Sequence, residues 1–172
     1  MGKYFLMSRH FNKQSAQDFG LSEKDEDLAV CLADRSLWRK TSLYDFGWGE
    51  ENGYYKVPLP DFFGLLEILL HAETDEDVYG AAAMIERKYP EELLRQCESF
   101  INDPMRTKDF EKLYSVFHLN DPFNRCSILG KTYSEIKSDT ERWKKVSEYV
   151  SNKKRERSLF QKVVDALLEY TT

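Results

Sequence analysis

The sequence predicts a mainly α-helical protein, a single irregular domain over residues 1–172 with six to seven helices and at most a minor N-terminal strand. Three observations carry this expectation. Apolar residues recur at three- and four-residue spacing through most of the chain beyond Ser22. Ser, Thr or Asp followed by carboxylates precedes several of these stretches, where a helix favours a cap and a negative first turn. The prolines fall between the stretches and not inside them.

Ser22 opens SEKDEDLAVCLADRSLWRK with Asp25 three residues on, close to a capping box. Leu28, Cys31 and Leu32 share a face, which predicts a helix over about 23–39. A long aromatic-acidic loop over about 42–60 follows. The prolines of VPLP impose an extended approach, Asp61 caps the next helix, and FFGLLEILLHA is apolar nearly all round, the mark of a buried helix. Thr74 with Asp77 forms an N-cap pair for a helix striped by Val78, Ala82, Ile85 and Tyr89. Pro90 starts another at the position that tolerates proline, with Leu93, Leu94, Cys97, Phe100 and Ile101 on one face. This hairpin resembles a single HEAT-type unit, down to its small-residue run AAA, with no second copy at a repeat period. Further helices are read over about 107–118 and about 132–151, and a last one carries Leu159, Phe160, Val163, Val164, Leu167 and Leu168. SNKKRERS is read as a solvated joint between those two, and KYFLM as a candidate strand.

Composition bounds the function. With 41% hydrophobic and 32% charged residues the chain is globular and not disordered. FFGLLEILL, broken by Glu67, is too short to cross a bilayer. MGKYFLMSRH lacks a signal-peptide core, and Leu6 stands where a myristoylation pattern requires Ser or Thr, so no membrane association and a cytoplasmic location are expected. Cys31, Cys97 and Cys126 show neither metal-ligand nor disulfide spacing and read as small hydrophobes. Net charge is −5, and residues 1–86 hold 16 acidic against 8 basic residues. Such a field disfavours nucleic acid and attracts basic proteins.

The search for chemistry is mostly negative. His10, His71 and His118 are scattered, and neither a phosphate loop nor a dinucleotide fingerprint is present. DFG at 45–47 stands without the other kinase signatures. ETDED at 73–77 lacks the glycine and terminal Glu of a calcium loop. No metal or cofactor is expected and the chain is read as a non-enzyme. With 30 acidic residues, a hidden carboxylate pair stays open as an alternative.

The stretch YDFGWGEENGYYKVPLPDFF holds seven aromatic and four acidic residues against Lys56 as its lone cation. Its rings either pack onto the helices, as Phe46, Phe62 and Phe63 are expected to, or form a surface. Rings interleaved with carboxylates suit a basic protein partner, because Tyr and Trp dominate interface hot spots and carboxylates steer cations. Nucleic acid would require Lys and Arg between the rings. The candidate partner-binding set is Tyr44, Asp45, Trp48, Glu50, Glu51, Tyr54 and Tyr55, with Asp75 and Glu76 of the ETDED turn.

YDFGWGEENGYY followed by PLPDFFGLLEILLHAETDEDVYGAAAMIERKYPEELL resembles, in style over about a third of the chain, the immunity proteins of bacterial polymorphic toxin and contact-dependent inhibition systems. That resemblance implies one tight protein partner, often a basic nuclease toxin, inhibited 1:1 by occlusion. The alternative from another class is a helical adaptor or scaffold holding a host protein. Oligomeric state is not legible.

Overall fold

A computed structural model describes residues 2–7, 15–45 and 50–169. Among them are five α-helices and one five-stranded antiparallel sheet, so the mainly α expectation is overturned and the fold is mixed α/β. Contacts divide the chain into two compact units, Met1–Tyr89 and Pro90–Thr172.

The first unit holds the sheet, with strands β1 (Phe5–Met7), β2 (Leu21–Glu23), β3 (Leu28–Cys31), β4 (Leu37–Asp45) and β5 (Glu50–Lys56), and helices α1 (Phe62–His71) and α2 (Asp75–Lys88). Strands β2 to β5 form a meander and β1 joins beside β5, giving the order β1-β5-β4-β3-β2. Both sheet faces are occupied, because successive strand residues point to opposite sides. On one side Leu6, Leu21, Ala29, Trp38 and Tyr54 form a buried cluster closed by Ala16 and Phe19 of a short 3-10 turn. On the other side α2 packs against β1 and β4, and α1 packs on α2. Helix α1 begins where Asp61 accepts the Gly64 N–H at 2.9 Å, and it buries Phe62, Leu65, Leu66, Ile68, Leu69 and Leu70 as expected. Of the three Phe residues expected to pack, Phe62 is buried and Phe63 exposed, while Phe46 lies outside the described residues.

The second unit is helical: α3 (Pro90–Ile101), α4 (Thr107–Phe117) and α5 (Tyr133–Glu169). Helix α3 packs on both α4 and α5, and it buries Leu93, Leu94, Cys97 and Phe100.

Three corrections follow from the chain's local chemistry. The helix expected over 23–39 is instead the end of β2, a turn, strand β3, a second turn and the start of β4, because Asp and Ser residues in it make the turns. Asp25 accepts the N–H groups of Asp27 and Leu28 at 3.1 and 2.9 Å. Asp34 accepts that of Ser36 at 2.9 Å, and Arg35 takes a left-handed φ of 60°. These residue types bond their own backbone and so compete with helix. The expected loop over 42–60 is largely the β4–β5 hairpin. The expected joint SNKKRERS is helical within α5, since it contains neither Gly nor Pro and is rich in good helix formers. The two helices expected to form one HEAT-like hairpin, α2 and α3, fall in different units.

Candidate protein-binding surface

Strand β4 pairs with β3 through Leu37, Trp38 and Arg39. Strand β5 pairs with β1 through Gly53, Tyr54 and Tyr55. Among the described residues, the stretch from Ser42 to Asp45 and the stretch from Glu50 to Asn52 therefore pair only with each other, as a two-stranded ribbon running past the neighbouring strands. A register shift between Ser42 and Tyr44 marks its base, where Leu43 is buried. A bulge there sharpens the local twist. Gly53 lies under Leu43 and the Leu6 carbonyl, leaving no room for a side chain. The ribbon's two outer rungs are Tyr44 opposite Glu51 and Asp45 opposite Glu50.

The hairpin thus brings four of the predicted residues, Tyr44, Asp45, Glu50 and Glu51, onto adjacent rungs. Trp48 lies outside the described residues. Tyr54 is not surface: it is 5% exposed, and its ring stands edge-on to Phe19 with centroids 6.0 Å apart. Burial raises its phenol pKa, and the nearby Glu23 charge adds to that. Tyr55 is half-buried, opposite Phe5 and Arg39.

Asp75 and Glu76 belong to a different place. They open α2, whose first turn meets the N-terminal strand, while near its other end Arg87 donates to Thr41 Oγ1 at 3.3 Å, at the ribbon's base. Fourteen residues of helix separate these ends by about 20 Å. The residue of ETDED with the clearest role is Asp77. It is 3% exposed and accepts the backbone N–H groups of Lys3, Tyr4 and Phe5 at 2.7, 2.7 and 2.8 Å, with Thr74 Oγ1 donating at 3.0 Å. The sequence signals only its capping partner Thr74. The clasp on residues 3–5 comes from tertiary structure.

In the second unit an alternating ionic chain runs Glu91–Lys131–Asp139–Arg142–Glu98. Lys131 reaches Asp139 at 2.6 Å and Glu91 at 3.0 Å. Arg142 grips Glu98 with two parallel bonds at 2.8 and 2.6 Å and touches Asp139 at 3.4 Å. The Arg142 fork holds the Glu98 carboxyl below the usual range. Burial pushes Glu91 upward, but Lys131 and backbone hydrogen bonds together outweigh it and the net shift is down. These are carboxylates fixed in their charged form. Burial pushes the Cys97 thiol up to about 12, and the buried Cys126 sulfur accepts the Trp143 indole N–H at 3.4 Å. Both are packing residues. Cys31 is half-buried on β3, not on a helix.

The same unit exposes an apolar segment that sequence reasoning passed over. Phe123, Ile128, Leu129 and Tyr133 are 51%, 60%, 87% and 82% exposed. The Arg125 guanidinium stacks on Phe123 at 4.0 Å. The linker's irregular sequence gave no periodic signal from which to find them.

Among the described residues no group of His, Cys, Asp and Glu is arranged to hold a metal, and no helix is long and apolar enough to cross a membrane. No protein-family model, curated protein or solved structure matches the chain.

Proposed function

We propose that this chain is a protein-binding protein of the immunity type, neutralising a basic toxin by 1:1 occlusion, with the β4–β5 ribbon as its contacting element. The observation that carries this reading is the register pair Asp45–Glu50 beside Tyr44–Glu51. Like charges at opposed strand positions weaken pairing, and a lysine or arginine brought to these rungs removes that penalty on binding. The two rungs then bring one aromatic and three acidic residues together for one cationic partner, whose encounter acidic charge would speed. The protein acts by covering its partner and needs no turnover of its own.

The reading requires a toxin gene beside this one, and the test is co-expression with the domain such a gene encodes, followed by titration of the purified pair. Wild-type protein is expected to protect cells and bind tightly. Asp45→Lys with Glu51→Lys is expected to lose protection and slow association while keeping the wild-type melting temperature. Unchanged binding by that folded variant refutes the ribbon as the interface, and absence of protection by wild type refutes the immunity reading.

The exposed Phe123, Ile128, Leu129 and Tyr133 favour a second reading, an adaptor whose helical unit holds another protein. In that case Leu129→Ser with Tyr133→Ser abolishes capture and the ribbon variant does not.

A further inference from the structure

In the linker between α4 and α5, a leucine occupies the tip of a tight turn. The Lys131 N–H donates to the Ile128 carbonyl at 3.3 Å, and Gly130 takes a left-handed φ of 75°. Residues 128–131 therefore form a β-turn with Leu129 at its second position. Turns favour Gly, Pro, Asn, Asp and Ser. Here Ile128 and Leu129 are exposed, and so is Tyr133 just beyond. The turn is held from both sides. Cys126 is buried before it. After it, Lys131 reaches inward to Asp139 at 2.6 Å and Glu91 at 3.0 Å. Thr132 then caps α5, its N–H and its hydroxyl both donating to Glu135 Oε2 at 2.7 Å. The apolar tip is thus set in place before it meets anything, and a preformed surface loses little freedom on binding. From Cys126 to Ile136 the charged residues are Lys131 and Glu135 alone, opposite in sign, so the segment has no net charge.

We infer that this turn is a self-association surface whose occupant is the same turn of a second copy, related by a two-fold axis. A two-fold contact sets a surface against itself, so any net charge on it would face its own kind. The chain as a whole carries −5, but this segment carries none and can meet itself without that repulsion. A foreign partner is commonly selected by complementary charge, and the turn offers none to select by. Size points the same way. At roughly 150–200 Å² for a large side chain, Ile128, Leu129 and Tyr133 at their exposures present on the order of 400 Å². That is within the range of a monomer's largest apolar patch, which is often functional. Two copies would bury about 800–1,000 Å² once the rim is included, the size of a weak and reversible contact. Leu129 and Tyr133 of the two copies then cover each other. The inference concerns the second unit and does not rest on the ribbon.

Sedimentation equilibrium of the full chain from about 5 to 500 µM reads such a contact by mass action. The mass is expected to rise from 20.3 kDa toward twice that value. Raised salt should not reduce it, because salt screens charges and leaves apolar burial intact. Leu129→Ser is expected to weaken association about tenfold or more, and Leu129→Ser with Tyr133→Ser to leave a monomer. Both side chains are exposed, so both variants should keep the wild-type melting temperature. The place of contact is read by oxidative crosslinking in a Cys31→Ser background. Leu129→Cys is expected to give a covalent dimer faster than Met105→Cys, a control at a similarly exposed position. A wild-type monomer throughout the range overturns the proposal, whether the turn then captures another protein or binds phosphatidylcholine vesicles. A dimer that survives the double variant, or that salt dissolves, overturns it too. Equal crosslinking of the two cysteine variants puts the contact elsewhere and has the same effect.

Discussion

Phe5 lies directly on Gly80. The ring of the first strand packs so close to the α2 backbone that a β-carbon at position 80 would overlap it. Sheet and helix meet at this contact, within reach of the Asp77 clasp three residues earlier on α2. Gly80→Ala must push the strand or the helix aside and is expected to cost about 1–3 kcal/mol, despite the better helix propensity of alanine. A chemical-denaturation midpoint equal to or above wild type would show that strand β1 yields freely.

Asp77 joins backbone to backbone through its charge. Asp77→Asn keeps the shape but replaces one acceptor oxygen by a donor that faces N–H groups. Charge-assisted bonds contribute more than neutral ones, and an unsatisfied buried group adds its own penalty, so a loss of about 2–3 kcal/mol is expected. Hydrogen exchange is the sharper readout: the amides of Tyr4 and Phe5 should lose protection while those in α3 keep theirs.

The α1 core gives a packing test. Leu69 has no exposed surface, and Leu69→Ala is expected to cost about 2–5 kcal/mol of stability. A loss under about 0.5 kcal/mol would contradict the helix's burial.

Tyr54 separates core from surface on the β5 strand. Because it is buried against Phe19, Tyr54→Ala is expected to destabilise by about 3–5 kcal/mol, with any binding defect following the unfolded fraction. A stable Tyr54→Ala that fails to bind would return this residue to the interface.

Acid should loosen the second unit through its ionic chain. Glu98 has its folded pKa lowered by Arg142, and Glu91 by the bonding that outweighs burial. A lowered folded pKa means that the unfolded chain binds protons first as pH falls. The contribution is therefore complete above the unfolded carboxyl value of about 4.3 and is lost as pH drops through the lower folded values. Glu98→Gln should be less stable than wild type at neutral pH, and that difference should shrink toward pH 3. Parallel melting curves across the range would contradict the pairing.

The helices from Asp61 to Phe117 were legible because periodicity and capping agreed there, and Thr74 with Asp77 was read correctly as a cap. Between Ser22 and Lys56 the same signs misled. Ser22, Asp25 and Asp34 belong equally to helix caps and to tight turns, and local sequence does not choose between them. LAVC is a short apolar run whose burial comes from cross-strand neighbours far away in sequence. The rungs that unite Tyr44 with Glu51 depend on strand register, which the glycines of that stretch concealed. Nothing in the sequence around Tyr54 distinguishes it from Tyr55, although alternation places them on opposite faces.

The strand order has a consequence for synthesis on the ribosome. Phe5 leaves the exit tunnel first, yet its hydrogen-bond acceptor Asp77 lies 72 residues later. At roughly 5–20 residues per second, the opening strand waits about 4–14 s for its clasp. The β2–β5 meander contains its own sequential pairings and can form meanwhile. The earliest-made strand is then the last to be clasped, and for the roughly 1–4 s between completion of β5 and arrival of Asp77 the β5 edge that β1 covers is held without that clasp.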